Sequence, residues 1–292
     1  MARKVLIVAL VCVCVSYVAD AQSFYNIRRP RNLLLNLGSG IAYYKGDLVN
    51  PGEIGIIKPN VTIGAEYFFN ERISGRTQLT WFQTKGDDAQ ADDDRNERNL
   101  HFQSGNIEFA VTGAVSLMPM TLRYYERPRF NIHAFTGIGL LYFNPKTELD
   151  GEKYALRKYM TENVAYSRIQ PVIPIGLGGR IFISPYFNIL IEGGYRFTFT
   201  DYLDDVSRRR YLPIDQLGGD PTSIRVRLAD RRPEIDTQPF PPHEKGVRGN
   251  PENNDGYFIL NISVQYYFPR EIFNQSQRKL YTHKRRAIFR KR

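Results

Sequence analysis

Apolar and polar positions alternate with period two along eight stretches of the chain: 33–44, 59–69, 73–84, 100–118, 130–143, 170–183, 187–200 and 257–268. Most run about ten to fourteen residues, against roughly five or six for a strand of a soluble domain. That is enough to cross a bilayer at a tilt. In the second stretch Val61, Ile63, Ala65, Tyr67 and Phe69 share a face opposite Thr62, Gly64, Glu66 and Phe68. In the seventh, Phe187, Ile189, Ile191, Tyr195, Phe197 and Phe199 oppose Asn188, Leu190, Glu192, Arg196 and Thr198. The eighth sets Phe258, Leu260, Ile262, Val264 and Tyr266 against Asn261, Ser263 and Gln265. One face suits lipid, and the other is small, polar or charged.

The connections alternate in length. Strands two and three, four and five, and six and seven are joined by short segments, "NER", "PMTLRYYERPR" and "SPY". The intervening ones are longer, among them the loop 144–168, and reach their greatest length in the stretch 201–256. The pattern predicts an all-β fold, an eight-stranded antiparallel up-and-down transmembrane β-barrel over 33–268, with long loops outside and both termini in the periplasm. A soluble lipocalin-like barrel would need a polar outer face, and these apolar faces are too aromatic to leave to water.

A mean hydropathy of −0.40 does not argue against this, because a barrel's polar lumen-facing residues offset its lipid-facing ones. Residues 1–21 read as a secretory signal: Arg3 and Lys4, an apolar run from Val5 to Val18, and Ala19-Asp20-Ala21 as a small-x-small cleavage site. Cys12 and Cys14 each follow Val, unlike a lipoprotein cysteine, and leave with the signal. The mature chain then has no thiol for disulfides, metal ligation or nucleophilic catalysis.

Charge is unevenly placed. The mature chain carries 38 basic against 29 acidic residues, net +9, and 269–292 alone carries +8. That segment holds Arg278, Lys279, Lys284, Arg285, Arg286, Arg290, Lys291 and Arg292, interleaved with Phe273, Leu280, Tyr281, Ile288 and Phe289. It reads as an electrostatic handle for an acidic periplasmic partner or anionic head groups, against the alternative of a solvated tail. The segment 22–32 adds Arg28, Arg29 and Arg31 at the same rim. Nucleic acid is excluded as a partner by secretion, despite the basic balance.

On the polar faces stand Glu66, Arg76, Glu108, Arg180, Glu192 and Arg196. Side chains nearly fill an eight-stranded barrel, so these charges are expected to pair as a plug rather than line a conducting pore. Among the histidines, His101 near the outer end of strand four is the candidate for acid-base chemistry. No spaced serine motif accompanies it, and a packing role is preferred. Asp87, Asp88, Asp92, Asp93 and Asp94 match no regular calcium loop and read as a solvated acidic loop. No metal or cofactor is expected.

Several words resemble the PorG-like family of outer-membrane barrels: "NLGSGIAYYKGDL", "ERNLHF", "FTGIGLLYFNPK", "PVIPIGLGGRIFISPYFNILIEGGYRFTFTDYLDDVS" and "GYFILNISVQYYF". The resemblance implies a noncatalytic component of type IX protein secretion, a barrel that anchors or positions the periplasmic ring of the apparatus. The other reading is a general small outer-membrane barrel acting in adhesion or surface interaction through its exterior loops. In "TDYLDDVS", Asp201, Tyr202, Asp204 and Asp205 follow strand seven at the outer rim. They are either an exterior calcium or partner contact or a hydrogen-bonded turn that seats the long loop, the latter preferred.

Overall fold

Alternating stretches become β1 (Leu33–Lys45), β2 (Lys58–Phe68), β3 (Ile73–Asp87), β4 (His101–Ser116) and β5 (Phe130–Tyr142). After a small hairpin, β6 (Pro145–Leu149) and β7 (Glu152–Ala155), the series resumes with β8 (Ile169–Phe182), β9 (Phe187–Thr198) and β10 (Gly256–Tyr267). The computed structural model describes residues 32–50, 54–90, 98–121, 126–235 and 247–268. The signal-like segment 1–21, the basic tail from 269 to 292, Asp92 to Asp94, His243 and His283 lie outside these.

β1 pairs with both β2 and β10, and antiparallel pairing continues through β9, β8, β5, β4 and β3 back to β2. Eight strands therefore close into a barrel in which no main strand keeps a free edge. The ladder between β5 and β8 lapses opposite Ile173 and Pro174, where proline has no N–H to give.

Period two decides the faces. In β4 every second residue from Phe102 is buried while Gln103, Ile107, Phe109, Val111 and Val115 point outward. The outer surface is an apolar belt including Leu37, Ile63, Leu79, Ile132, Ile138, Leu177 and Ile262, all more than 40 % exposed. Aromatics edge it in two rings. Tyr67, Phe69, Phe130, Phe187 and Tyr266 lie towards the short-turn rim, and Tyr43, Trp81, Tyr142, Phe197 and Phe258 towards the long-loop rim. On β9 the two rings sit ten residues apart at Phe187 and Phe197. At about 3.3 Å per residue and a tilt near 40°, that separation is about 25 Å, the height of a lipid-facing band. Water would not tolerate so wide an apolar surface, and a bilayer requires it.

The turns explain the short rim. Asn70 closes the β2–β3 turn by accepting the N–H groups of Arg72 and Ile73 on Oδ1, at 2.8 and 2.7 Å. Ser184 does the same at the β8–β9 turn for Tyr186 and Phe187.

Two expectations need correction. The stretch 144–168, read as loop, contains the β6–β7 hairpin and a short helix, α1 (Leu156–Tyr159). β6 adds to the upper end of β4 through Gln103 and Ser104, and the five-residue alternation of Pro145, Thr147 and Leu149 is too short to register as a strand. The ends also move: β3 runs on to Asp87, β4 stops at Ser116, and β9 stops at Thr198.

Candidate functional site

The six lumen charges come together in two groups. Glu66 accepts Arg180 Nη2 on both carboxylate oxygens, at 2.8 and 2.7 Å, and also Gln265 Nε2 and Ser74 Oγ. Arg76 lies 3.4 Å from Glu66 and donates to Glu192, whose Oε1 also meets His133 Nε2 at 2.7 Å. Nearer the long-loop rim, Glu108 accepts Tyr257 Oη at 2.5 Å and pairs with Arg196 at 3.4 Å. Three acids face three bases, so the lumen carries no net field from these groups to concentrate an ion of either sign. Gly178 is fixed by the same network, because a Cβ there would run into the His133 ring and Glu192.

Both ends of the lumen are closed among the described residues. At the short-turn rim Leu34, Phe68, Met120 and Tyr267 form an apolar cluster, and the Arg127 guanidinium lies 3.7 Å from the Tyr267 ring centre. At the other rim Tyr44, Phe82, Phe102, Leu141, Phe143 and Tyr257 pack into a larger cluster that continues into the loops. Between the two charge groups, beside Thr62, Thr80, Phe135 and Asn261, remains a void of about 10 Å³, room for roughly one water molecule.

Above the upper cluster the four long connections knot together. Arg98, from the β3–β4 connection, donates to both oxygens of Asp88 at 3.0 and 2.5 Å, to the carbonyl of Asp47 at 2.9 Å, and to the carbonyl of Arg248. Arg248, near the end of the β9–β10 connection, donates to Glu162 at 2.8 Å. Glu162 in turn accepts the N–H groups of Ser207 and Arg208. The β9–β10 connection also carries α2 (Ile224–Ala229), N-capped by Ser223, and a small core of Leu212, Leu217, Val226 and Ala229. One guanidinium thus joins three of the four connections directly, and Glu162 brings in the fourth.

The aspartates after β9 lie inside this knot. Asp201, Asp204 and Asp205 are 8 %, 1 % and 2 % exposed, so as placed they present no open exterior contact. Asp205 adopts φ 71° and accepts Tyr166 Oη at 2.7 Å and the Thr161 hydroxyl. Asp204 accepts the Val206 N–H at 2.9 Å, and Asp255 accepts that of Leu203 at 2.9 Å. Burial raises their affinity for protons: Asp201 is pushed up to about 7, Asp205 to about 6 against its hydrogen bonds, and Asp204 and Asp255 well above the carboxylate range. Tyr202 is half-buried beside them and stacks on Tyr166.

His101 opens β4, and Arg231 Nη1 lies 3.1 Å from its ring nitrogens, a cation where an acid-base histidine would want a carboxylate. Asp88, read as solvated, is fully buried on Arg98, while Asp87 ends β3 and pairs with Lys85 at 3.1 Å. Sequence reasoning missed Arg98, Glu162, Tyr166, Arg248 and Asp255. They stand up to 211 residues from their partners in loops without periodicity, and only the aspartate-rich "TDYLDDVS" hinted at the knot.

No family model matches the chain and no curated protein matches it. Among solved structures it is similar to Neisserial surface protein A, at 8 % identity and TM-score 0.41, covering 81 % of this chain and 97 % of that one. It is also similar to Ail, the attachment invasion locus protein of Yersinia pestis, at 10 % identity and TM-score 0.40 over 82 % and 99 %. A third is the outer membrane protein OprG from Pseudomonas aeruginosa, at 11 % and 0.38 over 83 % and 98 %. Identities and scores this low carry no argument about the present chain. Its fold and its place in a bilayer rest on its own closure, apolar belt and aromatic rings.

Proposed function

We propose that the protein is a noncatalytic outer-membrane barrel that works through its rims, as an accessory of type IX secretion that anchors or positions the periplasmic ring. The observation that carries the rim-based part is the lumen, while the noncatalytic part rests on the family resemblance. Among the described residues the lumen is filled, charge-balanced and closed at both ends, which leaves neither cargo nor solute a path there and leaves the two rims for interaction. The secretion assignment rests on the resemblance of the quoted strand words to the PorG-like family. Residues Arg278, Lys279, Lys284, Arg285, Arg286, Arg290, Lys291 and Arg292 supply the periplasmic attachment through their charge.

The test is a pull-down from detergent-solubilised outer membranes with the full chain and with a version ending at Phe268. Co-purification of periplasmic ring proteins with the full chain but not the shorter one is expected. Equal recovery with both removes the tail from the mechanism. Recovery with neither removes the secretion role and favours the second reading, surface interaction or adhesion. That reading has its own support in the ordered cap, since an exterior of packed loops presents a defined surface to a partner.

A further inference from the structure

A hydroxyl group has one proton, and the Tyr44 hydroxyl touches two carboxylates. Its oxygen lies 2.8 Å from Asp204 Oδ2 and 2.6 Å from Asp255 Oδ1, with all three side chains buried. If both aspartates were ionised, one contact would set a carboxylate oxygen against a hydroxyl lone pair in a site of low dielectric, and among the described residues neither forms an ion pair, although Arg248 attracts Asp204 from a distance. Among the described residues, Arg98 is committed to Asp88 and Arg248 to Glu162. The other groups facing the pair add no positive charge: Asp47 beyond β1, Asp201 and Asp205 on the same connection, Tyr166 beyond β7, and Tyr195 of β9, whose ring edges Gly256. The arrangement closes only if one carboxyl keeps its proton and donates it to the Tyr44 oxygen while the tyrosine donates to the other.

We propose that Asp204 and Asp255 share one proton through Tyr44, and that this proton latches the β9–β10 connection onto the barrel mouth, so that its loss with rising pH loosens the cap. The latch joins the start of that connection, its end and β1; by its other oxygen Asp255 accepts the Leu203 N–H from the start of the connection, and Asp204 accepts the Val206 N–H of its own turn. Releasing the proton puts two buried anions side by side and drives those segments apart. Gly46 belongs to the device, since a Cβ there would occupy the position of Asp255 Oδ1 and the Tyr44 hydroxyl.

Hydrogen exchange of the full chain in lipid, read on the Leu203 and Val206 amides from pH 5 to 9 and corrected for intrinsic rate, tests this. Protection is expected to fall at least about tenfold in the wild type, the change a one-unit pKa difference drives. Asp255→Asn, whose amide imitates the protonated carboxyl, is expected to lose clearly less protection than the wild type, keeping only the part of that loss that Asp201 and Asp205 contribute below about pH 7. Protection independent of pH in the wild type, or an Asp255→Asn profile falling in parallel with it, overturns the latch. Should that variant not fold, infrared spectroscopy of the wild type decides. A protonated-carboxyl carbonyl band that persists to about pH 8, above the range in which Asp201 and Asp205 lose their protons, and disappears on further alkalinisation supports the proposal, and absence of the band there contradicts it.

Discussion

Glu66 and Asp205 illustrate two ways in which a single buried carboxylate matters here. Glu66 balances Arg180 and shares Arg76, and removing one partner of a buried pair leaves an uncompensated charge costing about 3–5 kcal/mol. Glu66→Gln is expected to lose that much in equilibrium urea unfolding from lipid vesicles, and a change under about 1 kcal/mol would mean that lumen water does the balancing. Asp205 holds Tyr166 and Thr161 from a left-handed backbone that alanine disfavours. Asp205→Ala should cost on the order of 2–4 kcal/mol and expose Tyr166 to fluorescence quenchers, with Asp205→Asn milder because asparagine tolerates that backbone. That the lumen residues face inward was legible from parity alone. Which acid meets which base was not, because strand stagger, not spacing, brings Arg76 to Glu192 across the barrel.

Strands and loops differ in how much their composition announces. An arginine facing lipid near mid-height costs about 2–4 kcal/mol, whereas the same change on a water-facing surface costs almost nothing. Leu37→Arg is therefore expected to destabilise the barrel by that amount in vesicles. An unchanged stability would contradict the membrane placement of the belt. The cap follows proton linkage. Asp201 and Asp205 hold protons in the folded state up to about 7 and 6, while an unfolded carboxyl loses its proton near 3.9. The folded cap therefore binds more protons across that window, and its stability falls as pH rises from about 4 to about 7. Exchange of the Ser207 and Arg208 amides, corrected for intrinsic rate, should accelerate over that range, and a slowing would reverse the sign of the account. Long strands advertise themselves by alternation over ten residues. The β6–β7 hairpin alternates over five and borrows its place from the end of β4, so only the folded neighbour makes it a strand.

At the scale of the molecule, an apolar belt of about 25 Å surrounds a lumen blocked by two charge groups and two apolar clusters. The barrel and its strand order could be read from the sequence, because each strand repeats the same local rule. The sealing of the mouth could not, because it depends on Arg98, Glu162 and Arg248 meeting from separate loops. The central claim is that this barrel spans the membrane without opening a path through it, leaving its rims to carry function. Single-channel recording of the full chain in planar lipid bilayers, with insertion verified by protease protection, tests that claim most directly. The account expects a bilayer indistinguishable from bare lipid at neutral pH, and discrete, reproducible conductance steps from the inserted protein would contradict it.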